Sequence, residues 1–312
     1  MSGEKHNRLM LAYLALAAGI VCIGFSAIFV KIAATAGMVS AFYRLLFSGV
    51  VLVPWGVWRR SPAARPTRRQ LWLMALGGIL IALDLAVWNT AIMMTSAATA
   101  TLLANNASLW VGLGALLLFH EKLPLRYWCG LVIAIAGMAV LLGAASWQNF
   151  HWNAGDLVAI CGSFLYAGYL LTVQRAREGV DTLTFMTVSV IPGTLLLLLI
   201  NLAFGAPLTG YSRRTWLALI AMGLFSQMLG WLAINYAIGH LRAAPVAVTL
   251  LGQVVVTALL SIPILGEIPR RHQVIGGIVV LIGIYLSNQR NRGGNNSPSS
   301  RYTACAAEKI NS

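Results

Sequence analysis

The chain has 312 residues, 59% of them hydrophobic and 10% charged. A water-soluble domain carries about 25% charged residues, so this composition excludes a solvated globular surface and leaves an integral membrane protein in contact with the lipid bilayer. The formal net charge of +14 does not signal nucleic acid, because the Lys and Arg lie in short stretches between apolar runs, where they report topology.

Ten segments reach the length of about 20 apolar residues that a spanning helix needs. They run 9–32, 40–58, 70–93, 97–119, 124–144, 155–175, 182–204, 213–238, 243–264 and 271–288. The first is longer than a signal-peptide core of about 7–15 residues and reads as a retained helix. Pro62, Pro66, Pro124, Pro207, Pro245 and Pro269 punctuate the boundaries, where a missing N–H is tolerated. The expected organisation is a cytoplasmic N-terminus (1–8), a first five-helix repeat (9–144), an extracytoplasmic linker (145–154), a second five-helix repeat (155–288) and a disordered cytoplasmic tail (289–312). With the N-terminus inside, 16 Lys and Arg fall on the cytoplasmic side, five on the other, and Arg44 within a segment. That asymmetry supports ten spans with both termini in the cytoplasm. Cys22, Cys129 and Cys161 sit in separate apolar runs and Cys305 in the tail. With no metal or redox spacing they read as small buried hydrophobes, and no metal or cofactor is expected.

The two halves repeat. At a shift of 146 residues Asn89 meets Asn235, Glu121 meets Glu267, Gly130 meets Gly276 and Gly137 meets Gly283, in one register over segments three to five and eight to ten. Five spans is an odd number, so the second half enters the bilayer from the opposite side. The fold class is therefore all-α, ten transmembrane helices in two inverted-topology repeats. Such repeats recur in secondary transporters, whose binding sites lie near mid-membrane between the halves.

Asp84 is the one acid deep inside an apolar segment, where a charge costs about 2.5–3.5 kcal/mol on insertion scales. Helical rise places it within a side-chain length of the height of Arg44. Two readings follow: an Arg44–Asp84 bridge fixing the second and third helices, or an Asp84 that faces a wet cavity as counter-charge to an ammonium or as a proton site. The neutral candidates form stripes. Thr101, Asn105 and Trp110 lie on the fourth segment, Thr249 and Gln253 on the ninth, and Gln227, Trp231 and Asn235 at four-residue steps on the eighth. Trp88 lies one turn from Asp84, Ser163, Tyr166 and Tyr169 follow at three-residue steps on the sixth, and Cys22 and Ser26 share a face of the first. Any one stripe reads as interhelical hydrogen bonding; their convergence favours a common cavity for a zwitterionic or mildly amphipathic small molecule. Trp55, Trp58, Trp72, Trp128, Trp147, Trp152 and Trp216 end segments and read as interfacial anchors. The spaced glycines read as helix packing. Glu121 and Glu267 read as structural, near Lys122 and Arg270.

Phe42-Tyr43-Arg44, together with Glu121 followed by Gly130 and Gly137 and its repeat Glu267, Gly276 and Gly283, resembles the drug/metabolite transporter superfamily. Within it the chain is similar to the EamA-type ten-helix exporters over about residues 9–288, and most similar to the YddG-type amino-acid exporters. The resemblance implies export of small metabolites, often amino acids or drug-like cations, from a bacterial inner membrane. It also implies a central cavity lined by helices 1, 3, 4, 6, 8 and 9. The seventh segment has no arginine to match Arg44. Ten helices can enclose a cavity in one protomer, so a monomer or weak homodimer is expected. The competing reading is a membrane enzyme acting on a lipid-linked substrate, but His6, His120, His151, His240 and His272 are scattered and no Gly-x-Ser-x-Gly or P-loop pattern occurs. A channel would call for a charged ring or a filter-like motif, and neither is visible.

Overall fold

The computed structural model describes residues 2–59, 66–95, 97–143, 153–266 and 269–289. Most of the linker with Trp147 and Trp152, the tail from residue 290 with Cys305, and Glu267 lie outside the described residues, as does the side chain of Asn89. In chain order the helices are α1 (Ser2–Ala33), α2 (Gly37–Trp58), α3 (Arg68–Met94), α4 (Ala97–Asn105), α5 (Ala107–Phe119) and α6 (Leu125–Leu142). The second half has α7 (Ala154–Arg177), α8 (Thr182–Ala203), α9 (Arg213–Ala221), a π-helical segment (Met222–Gly230), α10 (Trp231–Leu241), α11 (Ala243–Leu250), α12 (Gly252–Leu265) and α13 (Arg271–Asn288). Among the described residues nine helical stretches are long and apolar enough to cross a membrane. The tenth, α13, has Arg271, His272 and Gln273 at one end and Asn288 at the other, which dilutes its hydropathy, yet it packs along α6. Thr67, Asn153, Asp181 and Ser212 start their helices by accepting a backbone N–H three residues on, as N-caps do.

Three spans depart from the uninterrupted α-helices expected of them. The fourth breaks at Asn106, between α4 and α5, and the ninth at Leu251, between α11 and α12; both breaks tighten into i to i+3 turns. Asn106 and Leu251 fall within one residue of each other in the repeat register, so the interruption belongs to the repeat. The eighth span holds the π segment between α9 and α10. Gly223 lies against the Arg44 carbonyl and Gly230 against Cys22 of α1, so the widened turn rests on two helices. A residue in a π turn advances by less than the 100° of an α-helix, so the even stripe through Gln227, Trp231 and Asn235 is broken. Gln227 turns to α2, and the other two face α7.

Most of the packing recurs when each span is exchanged for the one five places on. The first span packs on the eighth as the sixth does on the third, the second on the eighth as the seventh does on the third, and the first on the ninth as the sixth does on the fourth. Two pairs of repeat partners, α2 with α8 and α6 with α13, lie against each other directly. Both run antiparallel: Gly56 meets Thr187 while Gly49 meets Val190, and Gly130 meets Ser287 while Gly276 meets Leu141. Antiparallel repeat partners mean that the halves are inserted upside down relative to one another, around a two-fold axis in the membrane plane. The start of α1 and the end of α13 then lie on one face, termed here the terminal face.

Lipid tails are as apolar as Leu, so association rests on close backbone approach and interhelical hydrogen bonds. A Cβ at Gly137 would sit 2.5 Å from Val280 N, and one at Gly276 2.3 Å from Leu141 N. Gly78 and Gly193 allow the same contact between α3 and α8. Trp58 and Trp72 are well exposed near the terminal face, as anchors are. Trp216 instead packs edge-on against Tyr43 at 4.9 Å, and Trp55 and Trp128 pack partly buried against the main core. Cys129 and Cys161 are exposed, on outward faces, because each sits on the side of its helix turned from the bundle; they are not the buried hydrophobes expected.

Gly137→Val should lower the thermal denaturation midpoint in detergent by an amount corresponding to about 1–3 kcal/mol of overpacking. Gly168→Ala, whose Cβ would meet Leu80 at an ordinary 3.5 Å, should leave the midpoint unchanged.

Candidate functional site

Arg44 reaches from α2 into the middle of the bundle. Its Nε donates to Gln227 Oε1 at 2.6 Å and its Nη1 to Ser26 Oγ at 3.2 Å. One guanidinium thus ties the first, second and eighth spans. The π segment that supplies Gln227 is itself fixed to α1, where Ser226 Oγ donates to the Cys22 carbonyl at 2.8 Å.

Asp84 faces the same region from α3. Its carboxylate lies beside α7, where a Cβ on Gly162 would come 3.7 Å from Oδ1. Asp84, Arg44 and Tyr166 are within Coulombic reach of one another. Among the described residues, however, Arg44 and Asp84 make no ion pair within 4 Å, and Asp84 accepts no hydrogen bond from the protein. Both side chains retain accessible surface although helices surround them. Of the two readings of this pair, the direct bridge is not formed: Gln227 and Ser26 hold the guanidinium instead.

A ring wall stands beside the charges. Trp231 of α10 lies edge-on to Tyr169 at 5.1 Å and to Tyr166 at 5.9 Å, both on α7. The Tyr169 hydroxyl and the Asn235 amide are hydrogen-bonded at 3.0 Å, and Asn235 Nδ2 also reaches Met186 Sδ at 2.7 Å. The Trp231 indole N–H is buried without a protein acceptor, a group whose burial is costly.

The other sequence candidates divide. Trp110 Nε1 donates to Ser163 Oγ at 2.8 Å, joining α5 to α7, and its ring stacks on Phe164 at 4.0 Å. Asn105 is spent on the Thr101 carbonyl of its own helix at 2.8 Å. Thr249 bonds the Pro245 carbonyl and accepts from Asn288 of α13 at 3.0 Å, so it ties two spans of the second half. Cys22, Trp88 and Gln253 are half-buried, with no side-chain hydrogen bond among the described residues. Direct contact therefore unites Ser26, Arg44 and Gln227, and charge and ring contacts add Asp84, Tyr166, Tyr169 and Trp231.

A second polar cluster was not singled out from the sequence. Glu121, at the terminal-face end of the fourth span, accepts from Gln174 Nε2 at 2.8 Å and pairs with Arg242 at 3.5 Å. Gln174 Oε1 accepts the Ala243 N–H at 2.5 Å. The expected neighbour Lys122 is not the partner: the chain reverses between α10 and α11 at Arg242 and brings that residue to Glu121. Arg242 has φ 70° and ψ 161°, a conformation that costs a non-glycine residue about 1–3 kcal/mol. Among the described residues no group of three or more His, Cys, Asp or Glu is arranged to hold a metal.

The sequence pattern of the EamA-like transporter family matches residues 10–143 and 153–289, once per half. A protein of Archaeoglobus fulgidus described as an uncharacterized transporter is 27% identical over 258 residues, covering 80% of this chain and 87% of that protein. The pseudopaline exporter CntI of Pseudomonas aeruginosa is 23% identical over 236 residues, covering 75% and 81%. A solved crystal structure superposes with a TM-score of 0.75 at 20% identity, covering 89% of this chain and 96% of that one, which shows a shared fold.

Gln227→Leu leaves a buried guanidinium N–H without its acceptor, a loss of about 1–3 kcal/mol. Thermal denaturation in detergent should register that loss, while Gln227→Glu, which keeps the acceptor, should match the parent.

Proposed function

We propose that this chain, which belongs to the EamA-like transporter family, exports small zwitterionic metabolites, amino acids foremost, by alternating access around the Arg44–Asp84 site. The family is one of secondary transporters and not of enzymes, so the reading of an enzyme acting on lipid-linked substrates falls away. The observation that carries the proposal is an acidic and a basic side chain deep in the bundle that face one region without pairing. Arg44 is anchored on Gln227 and Ser26, and among the described residues Asp84 has no protein donor. In a medium of low dielectric such charges attract strongly, and a gap persists only where the scaffold holds it.

A zwitterion completes the gap. Its carboxylate takes the guanidinium N–H groups that Arg44 has left, and its ammonium takes Asp84. Tyr166, Tyr169 and Trp231 offer ring surface to the solute's apolar part, and the Trp231 N–H offers a donor. Charge-assisted hydrogen bonds of this kind contribute about 1.5–3 kcal/mol each. Cys22, Trp88, Thr101, Asn105, Trp110, Ser163, Thr249 and Gln253 line the wider path between the halves. The outward direction is supported by the relative that carries the name of an exporter. The narrower likeness to YddG-type amino-acid exporters rests on this chain's own residues. The chain spans a plasma membrane several times, with the terminal face placed in the cytoplasm by the Lys and Arg count and one protomer sufficing for the path.

Counterflow in proteoliposomes tests the proposal. Labelled amino acids should exchange saturably, and Asp84→Asn should reduce that exchange about tenfold or more, the worth of one charge-assisted contact, while a matching hydroxy acid without the ammonium is affected less. Arg44→Gln should do the reverse, sparing the amine that lacks a carboxylate. Unitary conductance steps, or equal losses for all three solutes in both variants, would overturn it.

A further inference from the structure

The two halves obey the two-fold axis almost everywhere, and the exception is informative. On the terminal face α7 packs against α10 and α11. The axis turns these contacts into α1 against the end of α3 and against α4, on the opposite face. Among the described residues no comparable packing of α1 on α3 or α4 exists. Among the described residues the halves are therefore packed more closely at the terminal face than at its symmetry mate.

The contacts at the terminal face are polar and specific. Glu121 accepts from Gln174 and stands in an ion pair, without a hydrogen bond, with the half-exposed Arg242 at 3.5 Å, and Gln174 holds the Ala243 N–H that begins α11. Beside them Arg177 donates to the Asn235 carbonyl at 3.4 Å, and its guanidinium covers Gly239, where a Cβ would come 2.7 Å from Nη2. Arg177 also bonds the Val180 carbonyl. The α10–α11 connection is thus clamped from both sides, and it turns through the left-handed backbone of Arg242. Strain of this kind persists where neighbours over-determine it and gathers in switch regions. At the repeat shift Arg242 corresponds to Ser96, a residue without charge.

We propose that Glu121, Gln174 and Arg242 form a one-sided latch that closes the terminal face of the path and biases the protein toward a conformer open on the opposite face. Its use in transport rests on the alternating-access reading above, but the latch can be read without any solute. Ala167 and Ala247 are 2% exposed. They lie seven residues from Gln174 on α7 and four from Ala243 on α11, two turns and one turn deeper on the same helix faces.

The test is the labelling rate of Ala167→Cys and Ala247→Cys by a membrane-impermeant thiol reagent. The full chain is used in sealed vesicles, with Cys22, Cys129, Cys161 and Cys305 replaced by serine and the terminal face identified by a protease-cleavable N-terminal tag. In the parent both cysteines should react slowly from the terminal face. Glu121→Gln should raise that rate about tenfold, within the usual range of coupling between two states, and the exchange of charge in Glu121→Arg with Arg242→Glu should restore protection. Arg242→Gln, which alters a residue at the rim, provides a second variant if Glu121→Gln does not accumulate. Terminal-face rates within twofold of the parent in the accumulating variants overturn the latch. A labelling shift without amino-acid counterflow keeps the latch and removes the solute assignment; counterflow without the shift does the opposite.

Discussion

An arginine in the middle of a lipid-embedded bundle is costly unless its donors are taken and its charge is answered, and Arg44 is where this chain meets that cost. Two of its N–H groups are satisfied by the first and eighth spans, and the rest face the region shared with Asp84. The second, first and eighth spans are thereby held at one depth, and the π segment that delivers Gln227 is retained although an α turn would be the more regular solution. π turns of this kind occur most often at functional sites. Here the reason is geometric: the wider turn rotates Gln227 toward α2 while Trp231 and Asn235 stay with α7.

The scaffold is symmetric and the site is not. Glycines at repeat-related positions set the α6–α13 contact, and the breaks in the fourth and ninth spans coincide in register. The charged pair has no such echo. At the 146-residue shift Asp84 corresponds to Gly230 and Gln227 to Ile81, and no arginine stands in the seventh span opposite Arg44. A two-fold frame allows the halves to exchange conformations at similar packing energy. On the proposed reading the singular residues would give the path one substrate orientation and unequal ends.

The spans were legible because hydropathy reports contact with lipid and helix length is fixed by bilayer thickness. The inverted repeat was legible because close backbone contact demands glycine at fixed intervals, as Gly130, Gly137, Gly276 and Gly283 show. The π turn and the mid-membrane breaks were not legible, since Met222–Gly230 and the stretches around Asn106 and Leu251 contain no proline to mark an interruption. Depth arithmetic brought Arg44 and Asp84 to one level, but it cannot say which of several acceptors a guanidinium will choose. Gln227 outcompetes Asp84 because it approaches from a helix already locked to α1. Gln174 and Arg242 were missed for a different reason. Polar residues at span ends are expected to meet water, as the exposed Arg242 still does; the chain reversal there brings it to Glu121, beside the buried Gln174.

Unequal ends have a thermodynamic consequence. A conformational equilibrium moves only by the difference in free energy between its states, and in an ideal inverted repeat the two end states would differ by nothing but the bilayer's own asymmetry. On the latch reading, Arg242 in place of a neutral residue on one face, opposite a buried Glu121, adds a contact to one state alone. Part of its gain is offset by the backbone strain at Arg242, so the bias can be appreciable without becoming a trap. A solute that binds Arg44 and Asp84 from the unlatched side would then shift the balance only by contacts it makes better in the other state. The Arg44–Asp84 site at the centre and the latch at the rim, as proposed, form one balance: the first would supply the differential binding, and the second would set how much of it is needed.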